Sequence, residues 1–455
     1  MTPAEAFGQY LELFKACPAM GQSAVLTELN NRCAAELPAA IEAYRSDVND
    51  MTPTRPENLF GPDYGVNLNR VDMPADVAAS FKCGVPQLNS LLAVVANDIY
   101  HPTDSIARSA QPGFTMASLH SLEGHDAADA SEVMKTLCHG TMPELLNGLL
   151  LHDGVYIRAD RGVDVDKPVQ IVNIFNAPVP MLMARRIVIH ACEGSHVRVL
   201  LCDHTQSPAT ASLSSQVVQV LADRGAKVEL YDIEETSDST NRVCTVVAKL
   251  ADEASLILNS SYLHGGKSRN EYFIDLDGNH ADANLSGLGI CADEQALDNR
   301  VTLVHKGTHG TSRQLFKNVL FDKARGSFGG KIIVVEGAER TDAVQTNRNI
   351  LASTEARMQT APQLEIYCDD VKCGHGATTG QLDERALFYM QTRGIPREEA
   401  LMMLTQAFMA DVVDNISFEV LRQRLHILVE KRLNGSSGSC DTCATACHAP
   451  KQEEL

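Results

Sequence analysis

The sequence predicts a mainly β protein with helical flanks, and three observations support this fold class. From residue 155 onward, short runs rich in β-branched residues are separated by Asp, Gly, Asn or Glu, as strands are by turns. Near both ends of the chain, apolar residues recur at helical spacing instead. A loose repeat also runs through the strand-rich region. We therefore expect a mostly helical N-terminal domain (1–150), a β core (151–382), a helical C-terminal domain (383–433) and a flexible tail (434–455).

Length and composition restrict the class of protein. A chain of 455 residues with 44% hydrophobic residues can bury a substantial core. Its formal net charge of -19 argues against a surface that binds nucleic acid or an anionic membrane by neutralising phosphates. Neither a signal-peptide pattern nor an apolar run of membrane-spanning length is visible in the sequence. We expect a cytoplasmic protein whose 13 cysteines are mostly reduced, buried thiols.

The N-terminal domain opens with a helix-start pattern. Thr2 can cap the helix, Pro3 suits its first turn, and Glu5 completes a capping box. The helical pattern continues to about residue 64, and residues 65–150 are mixed, with several prolines between short segments.

The repeat in the β core has a period of about one coil of a β-solenoid. Its units start at Gly194, Gly225, Glu253, His280 and His309, and successive starts differ by 31, 28, 27 and 29 residues. A stack of β coils produces such a period, because one coil cannot bury its apolar face alone. A β-sandwich also yields many short strands, so the repeat by itself leaves both architectures open.

Helical signals resume after Leu382. Asp383 can cap a first helix, Gly394 can end it, and Pro396 opens the next with two acidic residues in its first turn. A third amphipathic segment ends near residue 433. We interpret these fifty residues as a satellite core at the end of the β stack and as a docking module.

The most promising ligands of the β core are Cys373 and His375. Residues two apart on a strand project to the same face, and thiolate and imidazole are ligands for iron, zinc or a cluster. Two ligands do not complete a metal site, so a functional site here requires further ligands, for example from a partner. Two satisfied interior side chains near the end of a β stack remain the alternative.

A second candidate site lies in the tail. Cys440, Cys443, Cys447 and His448 supply three thiolates and an imidazole within nine residues, enough to surround one zinc or iron ion. A flexible tail with incidental cysteines is an equally good interpretation of this composition.

Two further patterns fit their structural interpretations better. The run HGGKS (264–268) ends like a phosphate-binding loop, but Ser261 stands where the first glycine belongs. His305 and His309 have the spacing of helical zinc ligands, but Gly307 and Gly310 indicate a turn, and we expect surface histidines.

Two sequence runs, VKCGHGATTGQLDERALFYMQTRGI (371–395) and NVLFDKARGSFGGKIIV (318–334), resemble the SufB/SufD family of the SUF iron-sulfur cluster assembly machinery. A weaker resemblance extends through residues 153–173 and NLNR (67–70), so it covers most of the chain. The two branches of the family differ at the motif that begins with His375. The SufB branch typically has a His-Glu-Ala motif, whereas this chain has His375-Gly376-Ala377, which favours the SufD branch.

The resemblance implies a right-handed parallel β-helix between the helical domains. It implies a scaffold subunit without catalytic activity of its own, in a complex with a SufB-like subunit and a SufC-like ABC ATPase. In that family the histidine matching His375 faces a SufB cysteine across the subunit interface, where iron or a nascent cluster is held transiently. The C-terminal helices would then dock the ATPase. The cysteine tail is a departure from the family pattern.

Two alternatives of other classes stay open at this point. A β-helix carbohydrate-active enzyme is disfavoured by zero tryptophans and few aromatic residues to stack on sugars. A self-contained metal-binding or redox protein would work through the cysteine-rich tail, and truncation after Leu433 would distinguish it.

Overall fold

The computed structural model describes residues 2–16, 23–44, 52–73, 75, 88–107 and 111–434. The helices α1 to α9 span Pro3–Ala16, Ala24–Ala43, Pro56–Phe60, Asp104–Ala107, Gly124–Thr136, Met142–Leu150, Glu384–Thr392, Arg397–Val413 and Glu419–Leu433. Strands β1 to β10 span Gly65–Val66, Leu91–Ala96, Ile99–Pro102, Phe114–Ser118, Val155–Ala159, Val169–Phe175, Met181–Ala191, His196–Thr205, Ser212–Ala222 and Lys227–Glu235. Strands β11 to β20 span Thr240–Leu250, Ser255–His264, Lys267–Leu276, Asp282–Cys291, Ala296–His305, Thr311–Leu320, Arg325–Val334, Thr341–Leu351, Arg357–Ile366 and Val371–Gly380.

Strands β5 to β20 form a parallel β-helix. The odd-numbered strands from β5 to β19 pair side by side in one sheet, and the even-numbered strands from β6 to β20 pair in the other. Each strand therefore pairs with the strand two further along the chain, and two successive strands make one coil. The predicted fold class, a parallel β-helix core with helices on both sides in the sequence, is confirmed, and the β-sandwich alternative is wrong.

The units of the sequence repeat start at the same backbone turn in successive coils. Its five starting residues each lie two positions before a strand of the even-numbered sheet, β8 to β16, and all five have a left-handed backbone with φ between 57° and 67°. Each also donates its N–H to a carbonyl of the next coil at 2.8–2.9 Å, as Gly194 does to Arg224. Two of the five are glycines, which adopt this conformation without steric penalty.

The interior of the coils is the main apolar core. Inward side chains stack in columns along the helix axis, such as Val197, Val228, Leu256 and Ala283, which are register partners in successive coils and at most 1% exposed. This stacking explains why one coil alone would not fold, because its inner face is buried only between neighbours.

The outer faces of both sheets are partly covered by helices. Helices α5 and α6 pack on the odd-numbered sheet and α1 and α2 pack against α6, so that Phe7, Leu26 and Leu146 share a buried cluster with Tyr156 and Val247. Helices α8 and α9 pack on the even-numbered sheet. The C-terminal helices thus lie along the flank of the β-helix rather than on its end, where the sequence placed them.

The segment predicted to be mostly helical also contributes strands. β2 pairs in parallel with β6 and antiparallel with β3, and β4 pairs antiparallel with β5. These pairings cover the first β-helix strand of each sheet, β5 and β6. The backbone hydrogen bonds at the N-terminal edge of the β-helix are therefore satisfied by the chain itself. No helix in the described part of the chain is long and apolar enough to span a membrane.

Candidate functional site

The C-terminal end of the β-helix is open. Within the described residues, β19 pairs only with β17 and β20 pairs only with β18. Arg357 and Tyr367 donate their N–H groups toward the β17 side, to Ala324 and Val334. Because successive N–H groups of a strand point in opposite directions, the even-numbered residues between them present their donors to the free edge, except Pro362, which has no N–H. This edge is a template for pairing with another chain.

Cys373 and His375 lie on β20 and face the interior of this last coil. His375 is the register partner of Gln345, which is fully buried and bound to Gln314 at 2.9 Å. Cys373 is the partner of Ala343, also fully buried. Both residues therefore continue inward-facing columns of the β-helix. His375 is exposed only because no further coil covers it.

The Cys373 thiol is half-buried and packs against the main core, as does that of Cys368 in the turn before β20. Burial raises the pKa of the Cys373 thiol, although a backbone hydrogen bond to Ala343 opposes the shift. The thiol therefore stays protonated until a cation or a partner displaces its proton. Asp369 and Asp370, which accompany these cysteines in the sequence, are exposed.

The glycines around these residues have no steric role within this chain. A Cβ atom added at Gly374, Gly376 or Gly380 would meet no atom within 4 Å, and none of the three has a positive φ. In contrast, a Cβ at Gly326 would meet the Met358 sulfur at 2.5 Å, and one at Gly330 would collide with Gln345. The glycines of residues 318–334 thus serve coil packing, whereas those of β20 leave open space at the free end.

Two other segments that carry the resemblance, residues 67–70 and 153–173, have a structural role, because contacts between side chains connect them to the β-helix. Arg70 of the NLNR run forms an ion pair with the buried Asp153 at 2.6 Å, and Asn67 donates to Asp98 at 3.0 Å. These contacts join residues 67–70 to the first coil.

The tail candidates Cys440, Cys443, Cys447 and His448 lie outside the described residues, so a tail metal site stays a prediction.

The structure also contains an interior ion cluster that the sequence did not reveal. It comprises Arg185, Asp203, Asp232, Glu234 and Arg242, each at most 5% exposed. Arg242 is its centre: its guanidinium nitrogens lie 2.6 Å from Asp232, 3.2 Å from Asp203 and 3.4 Å from Glu234. Strand alternation predicts which residues share a face, but it does not predict that opposite charges meet inside the coil.

Burial raises the pKa of Glu234 to about 7, although Arg242 and a hydrogen bond from Ser268 oppose the shift. Charge balance acts in the same direction as burial. Arg185 and Arg242 supply two positive charges, and three ionised carboxylates would leave an unpaired negative charge in a low-dielectric interior. Protonation of Glu234 removes that excess.

The two histidines predicted to lie at the surface, His305 and His309, differ in burial. His305 is fully buried and its Nε2 lies 2.9 Å from the Ser312 hydroxyl, and burial lowers its pKa to about 4. His309, on a coil turn, is half-buried. The prediction of a surface position is therefore wrong for His305, because it occupies an inward-facing column of the β-helix between its fully buried register partners Leu276 and Val334.

Fold and site together define a β-solenoid protein with a thiol and an imidazole on the last strand of an open end. The family profile "SUF system FeS cluster assembly, SufBD core domain" matches residues 174–408, more than half of the chain, and the profile "SufBD protein N-terminal region" matches residues 4–171. The chain belongs to the SufB/SufD family of iron-sulfur cluster assembly proteins.

Curated relatives agree with this assignment. The chain is 36% identical over 188 residues to the iron-sulfur cluster assembly protein SufD of Escherichia coli, an alignment that covers 41% of this chain and 44% of that protein. It is 24% identical over 367 residues to an iron-sulfur cluster assembly SufBD family protein of Synechocystis, covering 78% and 81%. It is 25% identical over 289 residues to SufD of Bacillus subtilis, covering 63% and 66%. The chain thus spans less than half of the E. coli protein, and the comparisons do not support a carbohydrate-active enzyme.

We predict that Glu234→Gln changes how stability depends on pH. The pKa of Glu234 is higher in the folded chain, about 7, than the ordinary value of 4.5. The folded protein therefore holds a proton that the unfolded chain releases between these values, and Glu234 makes the wild type less stable as pH rises from about 4.5 to about 7. The neutral glutamine lacks this dependence.

Urea unfolding of both proteins across pH 4.5–8.5 tests this. The difference in unfolding free energy should shift in favour of the variant up to about pH 7 and then become constant. A difference that is independent of pH would show that Glu234 does not hold this proton.

Proposed function

We propose that this chain is the SufD-like subunit of a cluster assembly scaffold and that its open β-helix end joins a SufB-like subunit. His375 supplies a ligand to iron or a nascent iron-sulfur cluster at that interface, with Cys373 in an assisting role. A SufC-like ABC ATPase docks on the C-terminal helices and supplies the energy of ATP hydrolysis. The metal is cargo, and the chain contributes ligands and geometry rather than catalysis.

One observation carries this proposal. Two inward-facing columns, which elsewhere consist of buried side chains, end in Cys373 and His375 at the point where the stack is open. Among the described residues, the only group of three or more His, Cys, Asp or Glu side chains close enough to hold one ion lies elsewhere. Cys373 and His375 therefore need ligands from another chain to complete a site.

The surface of the open end supports an interface. Within the described chain, ten large apolar side chains are exposed, and Val344, Ile366 and Tyr367 of this end are three of them. Ile366 and Tyr367 are 42% and 63% exposed and adjoin the free edge of β19. The open space above Gly374 and Gly376 would accommodate the close approach of a partner's backbone.

Five more of these ten side chains lie on the C-terminal helices: Phe388, Tyr389, Met403, Val420 and Ile427. The inner side of these helices is already fixed to the β-helix. The buried Lys317 reaches Asp411 at 2.5 Å and the Phe408 carbonyl at 2.7 Å, and Ser417 donates to Glu229 at 2.5 Å. The outward apolar residues, with Phe388 67% exposed, are therefore available to a partner.

We predict that His375→Ala slows cluster formation on the assembled complex by roughly tenfold or more, because it removes a direct ligand and even outer-shell losses have effects of this size. Cys373→Ser should slow it less, since Cys373 only assists. Anaerobic reconstitution of the co-purified complex, followed by absorbance and circular dichroism, measures the rate.

The matched control is His280→Ala, which removes an exposed histidine from a coil turn distant in sequence. It should form clusters at the wild-type rate. If His375→Ala complexes also reach that rate, or do not assemble, His375 is a structural residue and the proposed ligand role is wrong.

We predict that Ile366→Pro weakens the complex with the SufB-like subunit about tenfold or more. The Ile366 N–H points to the free edge, so proline removes a donor to the partner and leaves a partner acceptor unpaired, while pairing with β17 is retained. Ile366→Ala removes most of the same side chain but keeps the N–H. Sedimentation equilibrium compares both variants; equal weakening by the two would exclude sheet extension at β19.

We predict that Phe388→Asp abolishes retention of the ATPase, since burial of a phenylalanine contributes roughly 1.5–3 kcal/mol and a buried aspartate would oppose docking. Val179→Asp changes a similarly exposed residue, 57%, outside both surfaces and serves as the control. A point substitution is preferable to deleting the helices, because deletion would uncover the apolar flank of the even-numbered sheet. Pull-down of the ATPase by Phe388→Asp at the wild-type level would refute this docking site.

A further inference from the structure

A second potential metal site lies near the other end of the β-helix. His190 is on β7, Cys192 follows that strand, and Asp223 follows β9; one ligand atom of each lies within 4.8 Å of the others. Strands β7 and β19 are six strands apart in the same sheet, which corresponds to about 30 Å. The group is therefore separate from Cys373 and His375.

The β-helix itself creates this group. His190 and Cys192 are two residues apart, so they project to the same, outward side. Asp223 occupies the position of Cys192 one coil later, because Ala191 and Ala222 are register partners. Neighbouring coils are about 4.8 Å apart, so the ladder holds the thiol and the carboxylate side by side.

The contacts of His190 indicate which ring nitrogen is available to a metal. Its Nδ1 lies 2.9 Å from both oxygens of Asp129, a residue of α5, and its Nε2 lies 3.2 Å from Asp223. Asp129 is itself held by the Tyr156 hydroxyl at 2.5 Å. This chain of contacts matches the carboxylate–histidine–metal arrangement, in which the carboxylate accepts one N–H and leaves the other nitrogen to the ion.

The distances suit a single ion. Nitrogen and oxygen ligands of one tetrahedral zinc-like ion, each at about 2.0–2.1 Å, are roughly 3.3 Å from each other. The 3.2 Å between His190 Nε2 and the Asp223 carboxylate is close to this value. His190 is 12% exposed and Asp223 is 42% exposed as side chains, so an ion can enter from the Asp223 side.

The charges around the group are compatible with a cation. The carboxylates of Asp129 and Asp223 flank His190, at 2.9 and 3.2 Å from its two ring nitrogens. The neighbouring Arg158 guanidinium is offset by Asp160, 2.9 Å away, and also lies 3.5 Å from Asp129.

We propose that His190, Cys192 and Asp223 bind one divalent transition-metal ion of the Fe²⁺ to Zn²⁺ series, with Asp129 as the positioning residue for His190. The mixed imidazole, thiolate and carboxylate set suits ions of borderline softness rather than Mg²⁺ or Ca²⁺. A fourth position, on the exposed side, remains for water or an exchanging ligand. The chain would then carry a metal site independent of its partners.

Co²⁺ is the probe, because its spectrum reports thiolate ligation and tetrahedral geometry. The full-length chain is used with Cys440, Cys443 and Cys447 replaced by serine, so that tail thiolates do not contribute. We expect one Co²⁺ per chain at pH 8, a thiolate charge-transfer band, and displacement by Zn²⁺ but not by Mg²⁺ or Ca²⁺.

Three variants locate the site. Cys192→Ser should abolish the charge-transfer band, and Asp223→Asn, at a half-exposed position that folding tolerates, should weaken binding at least tenfold. Asp129→Asn should weaken binding 10–100-fold while keeping the band. Two controls, His196→Ala and His280→Ala, should leave affinity and spectrum unchanged; His196 also lies between two carboxylates, at 3.0 and 3.3 Å.

The proposal is overturned if Co²⁺ does not bind stoichiometrically or if the band persists in Cys192→Ser. It is also overturned if Mg²⁺ displaces the ion or if Asp223→Asn binds with wild-type affinity. In any of these cases His190 is a structural residue held between the carboxylates of Asp129 and Asp223.

Discussion

Each coil of this β-helix satisfies its backbone hydrogen bonds only by pairing with the coils on either side, and the other features of the molecule depend on this constraint. The first coils are completed by β2, β3 and β4 of the same chain. The last coil has no such cover among the described residues. A protein built this way has one end completed by its own strands and one end with unpaired strand edges. The proposed pairing with a second chain rests on that difference.

The same stacking also makes the interior chemically adaptable. A column position is apolar in most coils but polar where neighbouring coils supply partners, as Gln314 and Gln345 do for each other. The interior ion cluster is a larger polar group of the same kind, with two guanidinium groups and three carboxyl groups inside the β-helix. Such clusters are weak evidence for stability, since desolvation offsets much of the Coulomb attraction. Their geometric effect is clearer: opposite charges on β8, β10 and β11 fix how the two sheets face each other.

The sequence predicted the fold best where local geometry repeats. The five repeat starts coincide with left-handed turns, where Gly194 and Gly225 are favoured for steric reasons and the hydrogen-bonding pattern recurs. It predicted less well what lies outside the coils, because strand alternation does not reveal that helices cover the outer faces, nor that the C-terminal helices lie along the flank. His305 and the interior ion cluster were missed for a related reason: burial depends on the neighbouring coils. The His190 group had a signal, since His190 and Cys192 share the spacing of Cys373 and His375, and Asp223 follows Cys192 by 31 residues, about one coil.

The left-handed turns also make the β-helix directional in stability. The turns at Gly194 and Gly225 use glycine, whereas Glu253, His280, His309 and Arg340, all at positive φ, occupy the equivalent turn in later coils. A non-glycine residue in this conformation carries a penalty of about 1 kcal/mol. Each of these later coils therefore carries this penalty at its turn, and we expect coils to separate first at the open end, because the other end is completed by β2, β3 and β4. A partner bound at the last coil would then act as a terminal cap that prevents the coils from separating. The folded subunit would last longer when the interface is occupied than when it is empty.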